Sequence, residues 1–236
     1  MRKTEFANGE YYHIFNRGVD KRKIFSDKYD LQRFFQSMKE FNTLEPIGSI
    51  YENSFNKDKD KNHQLGSSAS KLVEFIAYCL NPNHYHFILK QVSEKGIEKI
   101  MHKLGGGFAK YFNQKYKRTG ALFQGSFKAV HIDSNEQLLY VSSYVNLNFK
   151  VHQLGCGAPK LELGLVKSSW GEYVGEDATK SKEGFCKKDI ILGQFKNKNE
   201  YKKYALKSLD LILENKEREK EDNIEEKKEI KNLFLE

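Results

Sequence analysis

Alternation of apolar and polar side chains predicts four strands. Residues 10–16 alternate and are rich in aromatic and β-branched side chains. Two apolar runs, residues 72–80 and 84–90, flank the turn at residues 81–83 and predict a hairpin. Residues 127–132 form the fourth candidate strand. The short strands and the hairpin predict an antiparallel sheet.

Apolar positions that recur every 3.6 residues predict helices between the strands. Asp27 is a candidate N-cap for a helix whose apolar positions fall within residues 31–38. A second helical region spans residues 93–116, with a break predicted at the glycine triplet 105–107, and a third helix spans residues 134–150. The order β-α-β-β-α-β-α predicts an α+β fold, a ferredoxin-like antiparallel sheet with helices on one face.

The chain divides into three parts. Residues 1–152 contain the predicted sheet and form the main domain, with a polar loop inserted at residues 52–70. Residues 153–199 form an irregular connecting segment, and residues 200–236 form a highly charged C-terminal helical extension. No apolar run is long enough to span a membrane, and the N-terminus lacks a signal-peptide pattern, so the sequence predicts a cytoplasmic protein.

His84 and His86 lie one residue apart within an apolar strand. Because side chains alternate along a strand, the two imidazoles point to the same face. Two neutral imidazoles on one face can bind a divalent metal ion. The alternative is a pair of half-buried histidines with ordinary hydrogen bonds. His13, on the first strand, is expected to support this pair or the core rather than to bind metal, and His152 is assigned no role.

Tyr144 and Asn148 are four residues apart in the third predicted helix and therefore share one face. A tyrosine hydroxyl can act as a nucleophile, and an amide oxygen can bind Mg²⁺ or Mn²⁺. A packing tyrosine and a surface or capping asparagine are the alternatives. The spacing becomes informative only together with the histidine pair.

Charge and cysteine usage narrow the class of partner. The net charge of +8 at pH 7 favours a polyanion such as nucleic acid, although a basic protein without such a partner is the alternative. The three cysteines are widely spaced and form no CxxC pattern. The sequence therefore predicts neither a disulfide framework nor a zinc site.

Four segments, in order, resemble the HUH single-tyrosine transposases with an IS200-like transposase domain, and among them the branch associated with REP elements. The segments are residues 78–89, which contain the two histidines, residues 111–113 with 120–128, residues 144–148, and residues 168–173. The resemblance extends over roughly residues 8–175.

This resemblance implies that Tyr144 is the catalytic nucleophile and that His84, His86 and Asn148 bind Mg²⁺ or Mn²⁺. It implies a transposase, a metal-dependent single-stranded DNA endonuclease and strand transferase that forms a 5′-phosphotyrosine intermediate on DNA hairpin ends. A hairpin-binding relative that does not cleave and a metal-dependent nuclease that uses water are the alternatives. The resemblance is compatible with a monomer or a homodimer.

Basic residues near aromatic residues are the candidate DNA contacts. Such a surface suits single strands, because lysine and arginine meet the phosphates while the bases stack on aromatic rings. The candidates are Arg17, Lys103, Lys110, Lys115, Lys117, Arg118 and Lys128. Aromatic core residues beside a solvated basic surface are the alternative.

Overall fold

A computed structural model describes residues 4–45, 47–52, 71–154, 163–176 and 184–233, with side chains described as far as residue 218. Most of the predicted inserted loop, residues 53–70, lies outside these ranges. The strands are β1 (Tyr11–Arg17), β2 (Val73–Asn81), β3 (His84–Gln91), β4 (Lys128–Ile132) and β5 (Lys167–Ser168). The helices are α1 (Lys28–Glu40), α2 (Gly96–Lys115), α3 (Asn135–Asn146), α4 (Asn148–Leu154), α5 (Trp170–Val174), α6 (Asp189–Leu192) and α7 (Lys198–Leu233).

The strands form one antiparallel sheet in the order β4-β1-β3-β2-β5. The α+β class and the ferredoxin-like antiparallel sheet are therefore confirmed. The central strand β3 pairs with β1 on one side and with β2 on the other. Its register aligns Phe15 of β1 with His86, and Arg17 with His84.

The two helices of the ferredoxin-like unit, α1 and α2, cover one face of the sheet. Their apolar side chains join those of Tyr85, Phe87 and Leu89 from β3 in one core cluster. The opposite face, which the prediction left without helices, carries a second cluster, where α3, α4 and α7 pack against residues such as Ile88. The sheet is thus covered on both faces because β3 has apolar residues on each.

Two helix boundaries differ from the prediction. Helix α2 continues through the glycine triplet at residues 105–107, because Leu104 and Phe108 on either side are buried in the core. That burial offsets the roughly 1 kcal/mol that each glycine costs in a helix interior. The predicted helix 134–150 is instead two helices, α3 and α4, which meet at the buried Leu147.

Helix α7 packs its first half against α3. Tyr201 is fully buried, and its hydroxyl receives a hydrogen bond of 2.8 Å from Asn146 Nδ2 and lies 3.2 Å from the Ser142 hydroxyl. Ser169 donates to the other end of the Asn146 amide, Oδ1, at 2.6 Å. These contacts fix the C-terminal end of α3, where Tyr144 lies. None of the described helices is long and apolar enough to cross a membrane.

Candidate active site

Tyr144, Asn148 and the two histidines come together on the face of the sheet covered by α3 and α7. The rings of His86 and Tyr144 meet edge to face, with centroids 5.4 Å apart. His84 Nε2 lies 2.8 Å from Asn148 Oδ1. Although α3 ends before Asn148, the start of α4 still directs this amide towards the histidines. The four residues singled out in the sequence therefore form one cluster.

The proton on His84 is placed by its neighbour in the hairpin turn. Asn83 Nδ2 donates to the carbonyl oxygen of Lys21, which directs Asn83 Oδ1 to His84 Nδ1 at 2.6 Å. An amide oxygen only accepts hydrogen bonds, so His84 Nδ1 carries the proton and donates it. A neutral imidazole then has a lone pair on Nε2.

This lone pair faces a second one. Asn81 Nδ2 donates to Asn148 Oδ1 at 2.9 Å and lies 3.0 Å from His84 Nε2, which orients the Asn148 oxygen towards the imidazole. The buried Asn81 Oδ1 and Asn148 Nδ2 make no hydrogen bond with any other described atom. Two acceptors 2.8 Å apart in a buried site repel each other unless they share a donor or a cation. The Asn81 amide is the shared donor here, and a bound cation would occupy the same position between the two lone pairs.

The donor set fits a hard divalent cation. Adjacent ligands of an octahedral Mg²⁺ lie about 3 Å apart, close to the separation of His84 Nε2 and Asn148 Oδ1. His86 Nδ1 is 2.9 Å from His13 Nε2, so Nε2 is the His86 nitrogen left to bind metal. No group of three or more His, Cys, Asp or Glu side chains within the described ranges is arranged for metal binding. The fit therefore depends on the asparagine amide.

His13 and His152 border this cluster from two sides. His13 supports His86 through the hydrogen bond between the rings, whereas His152 lies against His84 with ring centroids 4.4 Å apart. His152 is one turn after Asn148, and Asn81 pairs with His84 across the hairpin. The sequence therefore contained signals for both: helical spacing from Asn148 for His152, and the strand register of the hairpin for Asn81.

Burial keeps the histidines neutral. Desolvation lowers the pKa of His13 and of His84 to about 4, and that of His152 to about 3. Desolvation also lowers the pKa of His86 well below its usual value, and the neighbouring histidines add to this shift. Neutral imidazoles are the form that binds metal.

The Tyr144 phenol is protonated at neutral pH. Burial raises the pKa of its phenol, and the nearby Asn148 side chain opposes this shift. A buried phenol is a weak nucleophile until an adjacent base, a nearby positive charge or a metal ion activates it. The ammonium group of Lys216, from α7, lies 5.6 Å from the centroid of the Tyr144 ring. No sequence signal could have revealed this contact, because it requires α7 to fold back onto α3.

Comparison with known proteins bears on the same stretch of chain. The family model described as "Transposase IS200 like" matches residues 48–148, which include His84, His86, Tyr144 and Asn148. This segment is therefore similar to the IS200-like transposases, and it covers less than half of the 236-residue chain. No curated protein matches the chain.

A solved structure of a REP-associated tyrosine transposase bound to a REP hairpin is similar to this chain with a TM-score of 0.43 and 13% sequence identity. The match covers 74% of this chain and 85% of the other.

Two of the candidate DNA contacts lie on the same face of the sheet as the histidines. Arg17 is the last residue of β1, aligned with His84, and its Nε donates to Gln124 Oε1. Lys128 is exposed on the edge strand β4 and is aligned with Phe15, which is aligned with His86. Both positively charged groups therefore lie beside the cluster, on the side of β3 where β1 and the edge strand β4 follow.

The other candidates belong to α2 and the loop after it, on the opposite face. Lys103 lines a groove of about 870 Å³ together with Lys95 and Lys99, which the sequence analysis did not select. Lys110 and Lys117 are exposed, and Arg118 lies over the Phe112 ring at 5.6 Å.

Lys115 differs from the other candidates because two carboxylates hold it. Its ammonium group lies 2.7 Å from both Asp27 and Asp30. These bonds raise the pKa of Lys115 and lower the pKa of Asp27, and they join α1 to α2. The two carboxylates neutralise the Lys115 ammonium, so this lysine has little charge to offer a phosphate.

Because the buried histidines are neutral, we expect the free energy of unfolding to fall in acid. In the unfolded chain a histidine titrates near pH 6.5, but His13 titrates at about 4 in the folded protein, which therefore binds fewer protons between these values. Its contribution is complete above pH 6.5 and is lost as the pH falls towards 4, by about 2 kcal/mol between pH 7.5 and 5.0. Urea unfolding in EDTA at both pH values measures this loss.

His13→Gln should reduce the pH dependence, whereas His102→Gln, at an exposed position on α2, should leave it unchanged. Equal pH dependence in wild type and His13→Gln would contradict the assignment of His13 as a buried neutral histidine.

Proposed function

We propose that the protein is a metal-dependent single-stranded DNA endonuclease and strand transferase, a transposase that acts on DNA hairpin ends through a 5′-phosphotyrosine intermediate. The observation that carries this proposal is the convergence of Tyr144 with His84, His86 and Asn148 on one face of the sheet. A protein that only binds DNA has no need of a tyrosine beside a metal-binding set. All four residues belong to one chain, so a monomer suffices for a complete site.

His84, His86 and Asn148 are the residues proposed to hold Mg²⁺ or Mn²⁺. Such an ion, when bound, polarises the scissile phosphate and offsets the negative charge that develops on it. Asn83 and His13 orient the two imidazoles, and Asn81 orients the Asn148 oxygen. Partners of this kind hold ligands in the geometry that a metal requires.

Tyr144 is proposed to attack the phosphorus atom. Its phenolic oxygen forms a bond to phosphorus while the bond from phosphorus to the 3′ oxygen breaks, and the phenol proton reaches the leaving oxygen through solvent. The product is a free 3′-hydroxyl and a 5′-phosphate ester of the tyrosine, which conserves the phosphodiester. The 3′-hydroxyl of another strand can therefore reverse the step and rejoin the DNA without a nucleotide cofactor.

The basic residues are proposed to hold the strand on both faces of the domain. Arg17 and Lys128 flank the site and suit phosphates next to the scissile one. Lys103, Lys110, Lys117 and Arg118 extend the positive surface to α2, where they suit phosphates further away. Several such contacts make binding strong at low salt and weak at high salt.

Replacing the nucleophile tests the chemistry. We expect wild-type protein with Mn²⁺ to become covalently attached to 3′-fluorescent single-stranded hairpins with randomised flanks, seen as a shifted band on a denaturing gel. Tyr144→Phe should abolish the shifted band, because phenylalanine has no oxygen to bond to phosphorus. Tyr140→Phe, one turn earlier on the same helix, should keep it.

Cleavage that survives in Tyr144→Phe without an adduct would assign the reaction to water as the nucleophile. Binding without any cleavage by the wild type would assign the protein to hairpin recognition alone. Either result contradicts the proposed strand transfer.

Metal binding can be measured without DNA. We expect saturating Mn²⁺ to raise the melting temperature of the EDTA-treated protein by roughly 5 °C, because the ion binds the folded state. His84→Gln combined with His86→Gln should abolish the rise, and the exposed-site control His102→Gln should retain it. An equal rise in the double variant would place the ion elsewhere.

A further inference from the structure

A basic groove lies between α2 and the loop that follows it, on the face of the sheet opposite the histidines. Its volume is about 870 Å³, and its lining includes Lys95, Lys99 and Lys103. Successive lysines are four residues apart, so the three side chains form a row along the start of the helix with steps of about 6 Å. Among the described residues that line the groove, Glu98 alone is acidic.

The lysines of this row keep their charge. Within the part of the chain that the structure describes, none of the three makes an ion pair, and neither does Glu98. Lys115, further along α2, is by contrast neutralised by two carboxylates. The row therefore presents net positive charge to the groove, which suits a polyanion.

Aromatic side chains also line the groove. Tyr85, Phe123 and Phe127 belong to its lining, and the rings of Tyr85 and Phe123 meet edge to face with centroids 5.9 Å apart. Proteins hold single-stranded nucleic acid with this combination, because cations bind the phosphates while the unpaired bases pack on aromatic surface. The groove therefore suits a strand whose bases are unpaired.

Two glycines leave the backbone of α2 open to the groove. Gly105 and Gly106 both line it, and a Cβ atom at either position would meet no described atom of the surrounding chain within 4 Å. Packing within the chain therefore does not require glycine here, although glycine weakens a helix interior. Glycine at such a position allows a ligand to approach the helix backbone closely.

The groove is continuous with the candidate active site. Arg17, beside the histidine cluster, donates to Gln124, and the next two residues of that loop, Gly125 and Ser126, line the groove. Asn16 Nδ2 donates to the Gly125 carbonyl oxygen at 3.1 Å, which fixes the loop against β1. A strand that passes Arg17 can therefore cross this loop and enter the groove.

We propose that this groove binds the unpaired strand that adjoins the DNA hairpin, with phosphates on the lysine row and a sugar packed against Gly105 and Gly106. This inference rests on the proposed function. It assigns the glycine pair to close contact with DNA, and it leads the unpaired strand from the histidine face of the sheet to the α2 face.

Filling the space at the glycine pair separates DNA binding from stability. In EDTA, we measure the Kd of the tightest-binding library hairpin with its unpaired flank. Gly106→Leu should raise the Kd roughly tenfold, because leucine takes the place of the sugar. The same change should raise the melting temperature by roughly 2–4 °C, because leucine favours a helix.

Gly107→Leu is the matched control. A side chain at this position meets the Phe41 ring and lies outside the groove lining. The melting temperature should therefore rise as in Gly106→Leu, while the Kd stays at the wild-type value. Should Gly106→Leu fail to fold, Gly106→Ala replaces it.

Removing charge gives a second measurement that does not depend on the glycines. Lys99→Met combined with Lys103→Met should lower the slope of log Kd against log salt by about 1.4, because each phosphate contact on a single strand contributes about 0.7. Lys203→Met combined with Lys207→Met removes the same charge at the same spacing from exposed positions on α7, and should leave the slope unchanged. On a hairpin trimmed to its stem and loop, every variant should match the wild type.

The outcomes distinguish the groove from the proposed chemistry. Wild-type affinity in Gly106→Leu, an unchanged slope in the Lys99 and Lys103 variant, or equal losses on the trimmed hairpin would overturn the inference alone. Wild-type protein that binds the flanked hairpin but forms no adduct with Mn²⁺ would overturn the proposed strand transfer and leave the groove assignment intact. Failure of the wild type to bind any library hairpin would overturn both.

Discussion

The site depends on the burial of β3 on both faces. Because alternate side chains of a strand point in opposite directions, Tyr85, Phe87 and Leu89 enter one core while His84 and His86 face the other. A shift of one residue in the pairing with β1 or β2 would move both imidazoles into the apolar core beneath α1 and α2. The hydrophobic residues of β3 therefore set the register that presents the histidines.

A second constraint holds Tyr144 against His84 and His86. The buried amide of Asn146 joins α3 to Tyr201 of α7 and to Ser169, which in turn bonds to the backbone of Tyr78 in β2. Burying polar groups of this kind lowers stability unless each one has its hydrogen-bond partner. The network therefore specifies one arrangement of α3 and α7 relative to the sheet. It ends α3 at the point where Tyr144 points inward and Asn148 can begin α4.

Much of this architecture could be predicted from the sequence, because it depends on local patterns. Alternation identified β3, and spacing on one helix brought Tyr144 and Asn148 together, although the chain achieves this across a helix break. The glycine triplet misled the prediction because packing of its flanking residues outweighs helix propensity. The packing of α7 against α3 was not predicted, because it joins residues distant in sequence. The charged second half of α7 also has the pattern of a solvated helix.

Direct identification of the residue bonded to DNA tests the central claim, that Tyr144 is a nucleophile served by the histidine cluster. The wild-type adduct formed with Mn²⁺ is digested with nuclease and trypsin, and the modified peptide is sequenced by mass spectrometry. The account predicts a phosphonucleotide on Tyr144 within the peptide spanning residues 129–150, with Tyr140 of the same peptide unmodified. A phosphonucleotide on Tyr140 or on any residue outside that peptide would contradict it.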